Sequence, residues 1–123
     1  MASRDPLTLA EVPDTLLAGY GLRHGWANGG SYQYTDSNAV LLPLAEIDGP
    51  MHRLLNEKRL RSLLQGIRDR VALPPVVVFK REDVSTAQLI QGMHRWRLSQ
   101  ALGFTMIPCI TLSPHEAAEY GLT

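Results

Sequence analysis

The sequence predicts a small single α+β domain, a mixed sheet of about four strands with about three helices. Three observations lead there. Short runs rich in Val, Ile and Leu recur along residues 40–112, bounded by Pro, Gly, Asp or Ser. Between the first two runs, leucines repeat at helical spacing. The length of 123 residues, with 45% hydrophobic and 20% charged residues, suits one ordinary core and sets aside disordered and fibrous classes.

In chain order, residues 1–38 come first, rich in Gly, Ser, Asn and Asp around GLRHGWANGGSYQYTDSN. They read as an irregular N-terminal arm. Tyr20, Trp26, Tyr32 and Tyr34 argue against free disorder, because such rings take apolar cover on the domain or on a partner. The domain proper is expected over 39–123. VLLPL is its first strand, confined to a sheet edge by Pro43, and 75–79, 87–90 and 107–112 are the next three. In NEKRLRSLLQGIRDR, Leu60, Leu63, Leu64 and Ile67 form one face of an amphipathic helix. A second helix is expected over 94–102, stopped by Gly103. A third starts at Ser113-Pro114-His115-Glu116, which offers an N-cap, a proline at the first helical position and a glutamate three residues after the cap.

No apolar run reaches the roughly 18 residues that cross a bilayer, and MASRDPLTLAEVPD has no uncharged signal core. A cytoplasmic protein without membrane attachment is expected. Cys109 is the only cysteine and lies in the apolar run IPCITL, so it reads as a buried, inert thiol. Twelve basic residues balance twelve acidic ones, so any anion site must be local. His24, His52 and His115 lack the spacing of a metal-binding helix, and no metal site is expected.

The second helix has an unusual start. Helix N-termini leave about four N–H groups without partners and carry partial positive charge, so acidic or capping residues belong there. This one opens with His94, Arg95 and Arg97, after Gln91, Gly92 and Met93, none of which caps well. An anion in the turn would resolve the mismatch, with backbone N–H groups and a guanidinium converging on a phosphate that Gly92 lets come close. The alternative leaves the arginines solvated and His94 packed. On the first helix Arg59, Ser62 and Gly66 make a separate stripe, which suits either a pocket wall or a solvated flank. Trp96 lies on the far side of its helix from Leu98, which fits a stacking or partner surface or, as expected here, cover by the N-terminal arm.

From VLLPLAEID, through KRLRSLLQGIRD and PPVVVF, to LIQGMHRWRLSQALGFTMIPCITL, the chain resembles the sulfiredoxin and ParB N-terminal superfamily. There a strand, a Gly-x-[His/Arg]-Arg turn, a helix and a Gly...Ile-Pro strand follow in this order. The resemblance implies that Gly92, Met93, His94 and Arg95 bind nucleotide phosphate, with Arg59 and Ser62 as helical contacts and Gly66 in place of an expected hydroxyl. Sulfiredoxins carry Gly-Cys-His-Arg at the turn. Met93 stands at the cysteine's place, and a thioether cannot become a thiolate nucleophile, so sulfinic acid reduction is not implied.

ParB N-terminal domains bind CTP at a Gly-Glu-Arg-Arg box that GMHRWRLSQALG resembles in shape. Residues 113–123 are too few for a DNA-reading helix-turn-helix beyond it. Other members have Asp-Gly-His-His-Arg at the turn, and some are free serine kinases with an acidic catalytic residue near the first strand. Gln91 and Met93 depart from that pattern, while Glu46 and Asp48 are the nearest carboxylates to act as general base or hold Mg²⁺, if they are more than ordinary loop acids.

The expected function is a nucleotide- or phosphate-binding module, regulatory or DNA-associated, that takes ATP or CTP with or without Mg²⁺. A protein partner would use the N-terminal arm, and DNA is the weaker expectation because net charge is zero. The alternative is an enzyme of phosphoryl transfer or nucleotide hydrolysis, with nuclease activity ranked below it.

Overall fold

The four apolar runs become neighbours in one curled mixed sheet. The computed structural model describes residues 8–36 and 38–121. Its elements are β1 (Thr8–Leu9), α1 (Asp14–Ala18), β2 (Val40–Pro43), a 3-10 turn (Leu44–Glu46), β3 (Ile47–Asp48), β4 (Leu55–Asn56), α2 (Glu57–Arg68), β5 (Val76–Phe79), β6 (Ala87–Gln91), α3 (Met93–Ala101), β7 (Met106–Thr111) and α4 (Pro114–Glu119). The main sheet has the order β2-β7-β5-β6-β3, and β1 pairs with β4 in a separate ribbon. β2 runs antiparallel to β7, which is parallel to β5, and β5 is antiparallel to β6. β2 lies at the sheet edge, where Pro43 is tolerated.

The α+β expectation holds, with additions at both counts. β3 supplies a fifth strand through a parallel pairing of Ile47 with Ala87, and two residues are too few to leave a periodic signal. α1 supplies a fourth helix inside the arm. α3 begins at Met93, one residue earlier than expected.

The helices form where their ends are served. In α2 the Asn56 side chain accepts from Arg59 N at 3.0 Å, while Leu60, Leu64 and Ile67 are buried. α4 has a complete capping box between Ser113 and Glu116. α3 ends in paired bonds, Gly103 N to Gln100 O at 3.2 Å and Phe104 N to Ser99 O at 3.0 Å, with Gly103 at φ +78°.

The arm's tyrosines find their cover on the domain, while Trp26 stays 43% exposed. Val12, Leu16, Leu17, Leu22 and Tyr32 share one core with Leu60, Leu64, Leu98 and Leu102, and Tyr20 and Tyr34 pack against it. Residues 25–30 run beside the end of α3, with Gly25 N on Ala101 O at 2.9 Å and Ala27 N on Leu102 O at 2.7 Å. Residues 1–7 and 37 of the expected arm lie outside the described residues.

Trp96 is buried, in one core with the arm residues Val12, Leu16 and Leu17. Its ring also lies under Gly49, where an added Cβ would meet ring carbons at 2.7 Å, and residues of the segment 44–51 border a recess beside it. The turn after β3 crosses α3 at the one position where a side chain is missing. Cys109 is fully buried in β7, and burial pushes its thiol up to about 12.

Candidate functional site

β6 delivers the chain to α3 through Gly92, whose φ of +105° is left-handed. A Cβ there would stand 2.6 Å from Val76 Cγ1 and 3.1 Å from Arg95 Nη2, so glycine is required by both conformation and space. Gly92 is the N-cap of α3 and, as expected, no side chain caps the helix and no acidic residue sits in its first turn. Among the described residues, the first turn of α3 thus offers its orphan N–H groups no carboxylate of its own.

In front of this turn lies a cleft of about 670 Å³ between α2 and the start of α3. Arg59 and Ser62 line it from α2, and Gly92, Met93, His94 and Arg95 line it from the turn. All six expected phosphate-site residues thus border one cavity. Arg53, from the loop before β4, and Gln91 join them, with Leu54, Leu63 and Leu89 as apolar wall, and none of the lining residues is acidic. The cleft therefore presents three guanidinium groups, a hydroxyl and a bare helix start, a combination suited to an oxyanion.

The basic residues at the turn play different parts. Arg95 Nη1 donates to Pro74 O at 2.7 Å and Pro75 O at 2.9 Å, which anchors the guanidinium at the cleft wall. Arg97 is 7% exposed and holds Ala10 O at 2.7 Å and Met51 O at 3.1 Å. It is a fastener of the fold, neither a cleft residue nor the solvated arginine of the alternative reading. One residue on from a buried tryptophan, it faces into the protein.

His94 Nε2 accepts from Asn56 N at 2.9 Å, which leaves the ring proton on Nδ1. Burial, then Arg59 and Arg97 nearby, hold the imidazole below its ordinary range. His94 is a neutral donor at neutral pH, and positive charge in the cleft comes from arginine.

The stripe on α2 divides. Gly66 does not line the cleft, since a Cβ there would lie 3.1 Å from Leu73 Cδ2, and the glycine serves the packing of residues 71–73. The two candidate catalytic carboxylates also part. Asp48 lines a second recess, with Arg81, Thr86 and Gln88, that shares Pro50, Arg53 and Leu89 with the first cleft. Glu46, in the 3-10 turn, is exposed and borders neither. Arg53 escaped sequence reasoning because it sits in a loop without period. Its sole signal is a basic residue close before the Arg59 stripe.

His24 pairs with Asp14 at the surface and His115 with Glu119. Among the described residues no group of three His, Cys, Asp or Glu side chains is placed to hold a metal ion. Among them too, no helix is long and apolar enough to cross a membrane.

The model of the ParB N-terminal domain matches residues 31–122. The chain belongs to the ParB N-terminal domain family. The match begins inside the stretch read from sequence as the arm, and so includes Tyr32 and Tyr34. Among relatives of this ParB-like chain, a nucleoid occlusion protein of Oceanobacillus iheyensis is 37% identical over 57 residues, 46% of this chain and 20% of that protein. An ATP-dependent L-serine kinase of Desulfurococcus mucosus is 37% identical over 71 residues, 56% of this chain and 28% of the kinase. The chain thus matches under a third of either relative's length.

Solved structures share the fold, among them a sulfiredoxin and a ParB. Sulfiredoxin from Arabidopsis thaliana superposes with a TM-score of 0.55 at 26% identity, covering 69% of this chain and 97% of sulfiredoxin. The truncated ParB from Caulobacter crescentus, solved with CTP-gamma-S, gives 0.50 at 24% identity and covers 68% of this chain and 50% of that one.

Proposed function

We propose that this ParB-like domain binds the phosphates of a nucleotide, ATP or CTP, in the cleft between α2 and the Gly92 turn, and acts as a regulatory or DNA-associated module. The observation that carries this reading is the acid-free cleft itself, in which Arg53, Arg59, Arg95 and Ser62 meet a helix start without a cap. The apolar residues Leu54 and Leu63 in the same wall suit a base or ribose. The solved ParB with CTP-gamma-S and the ATP-dependent kinase relative supply the two nucleotide choices. Mg²⁺, if used, arrives with the nucleotide, since the cleft offers no carboxylate to hold it.

The thermal unfolding midpoint, read against ATP, CTP, GTP and pyrophosphate with and without Mg²⁺, tests this. A ligand at about 100 times its dissociation constant adds roughly 2.7 kcal/mol of stability. Arg59 is exposed and its side chain borders the cleft, so Arg59→Ala should keep the fold and lose most of the shift. No shift with any of the four ligands, or an undiminished shift in Arg59→Ala, defeats the reading.

One observation favours a second reading, phosphoryl transfer. Asp48 opens into a recess that adjoins the phosphate cleft, where a general base would stand beside an acceptor. Nucleotide turnover lost in Asp48→Asn with binding retained would establish it. Glu46, outside both recesses, has no part in it. Partner binding through the arm would rest on Trp26, 43% exposed, since the other arm aromatics are engaged with the core.

A further inference from the structure

The N-terminal segment reaches the phosphate cleft from behind. Tyr32 is buried, and its hydroxyl donates to Pro74 O at 2.7 Å. Arg95 Nη1 donates to that same oxygen at 2.7 Å, so one carbonyl accepts from both residues and its lone pairs are filled. Pro74 and Pro75 have no N–H. Their segment is held instead by Leu73 N on Gln33 O at 2.8 Å and by a parallel bridge between Tyr34 and Leu73. The Tyr32 ring also meets Phe104, just beyond α3, edge to face at 6.5 Å.

The arginine at the turn is therefore aimed by a carbonyl that the N-terminal segment fixes in place. We propose that Tyr32 is a positioning residue of the phosphate site, which sets the pose of the Arg95 guanidinium through the shared Pro74 carbonyl. Docking of residues 31–34 thereby regulates phosphate affinity at the Gly92 turn. This rests on the phosphate reading of the cleft. The burial that raises the tyrosine's pKa, opposed by the neighbouring arginine, agrees with the two groups lying side by side.

The test is a double-mutant cycle in the full chain, with pyrophosphate and CTP binding measured by calorimetry for wild type, Tyr32→Phe, Arg95→Ala and the pair. Tyr32→Phe keeps the ring, so the unfolding midpoint should barely move while pyrophosphate affinity falls about fivefold, the scale of one neutral hydrogen bond. Arg95→Ala should lose more, and the double variant should bind no worse than Arg95→Ala, because the tyrosine acts only through the arginine. Fully additive losses, or unchanged affinity in Tyr32→Phe, overturn the proposal. A merely structural role would not alter the NMR signals of the Arg95 guanidinium. In wild type the Nη protons should be distinct, and in Tyr32→Phe they should average. An identical guanidinium spectrum in the two also overturns it. If wild type binds neither ligand, the cleft reading falls along with this one. If binding is intact and sensitive to Arg59→Ala but blind to Tyr32→Phe, the positioning role alone falls.

Discussion

A histidine that accepts a backbone hydrogen bond beside two arginines has little room for a proton. His94 takes the Asn56 N–H on Nε2, and its ring is held neutral below the ordinary imidazole range. An unfolded chain has no such constraint and protonates near about pH 6.5. On acidification the unfolded state takes up the proton first, so stability should fall as pH drops from neutral through that value. Unfolding midpoints followed from about pH 7.5 down to about pH 5.5 check this, and His94→Gln should flatten the slope relative to wild type. An equal slope in the variant would show that His94 is not its source. At this scale sequence reading found Arg59, Ser62, Gly92, His94 and Arg95 as cleft residues. Residue spacing alone did not foretell that Arg97, two residues on from Arg95 with the same charge, turns into the protein, because the difference lies in which carbonyls stand opposite each.

Elements with their own period or caps were legible, and those defined by a neighbour were not. α2 announced itself by its leucine stripe and α4 by its capping box. β3 exists only because β6 accepts it, and β1 because β4 does. The end of α3 combines both kinds. Gly103 is readable as a helix stop, yet its second duty, contact with the arm, is not. A Cβ at Gly103 would lie 2.8 Å from Gly25 Cα, backbone that cannot swing aside as a side chain would. Gly103→Ala should therefore cost roughly 1–2 kcal/mol for the left-handed conformation alone. It should also speed hydrogen exchange at Gly25, Ala27 and Gly29, whose amides bond to Ala101, Leu102 and Gly103. Unchanged exchange there would mean that the arm docks by its side chains.

Across the whole molecule, the N-terminal segment and the sheet domain are sewn together at α3. Arg97 joins Ala10, ahead of α1, to Met51, after β3, through one buried guanidinium. Removal leaves two carbonyls without their donor, and Arg97→Met should destabilise the fold by about 2–4 kcal/mol in urea titrations. Arg97→Lys should recover only part of that, since an ammonium lacks the fork that reaches two acceptors. A loss near zero in Arg97→Met would show the segment to be held by its apolar residues. No local pattern in the sequence foretells a contact between residues 87 positions apart, which is why the segment read as an irregular arm.

The sulfur inventory carries a consequence of its own. The single thiol, Cys109, is walled into the central sheet with its ionisation pushed up to about 12, and at the turn Met93 offers only a thioether. Thiolate is the form that oxidants and alkylating reagents attack. The native fold is therefore silent toward thiol chemistry, and a cysteine introduced at the exposed Trp26 would be the sole reactive handle on the molecule.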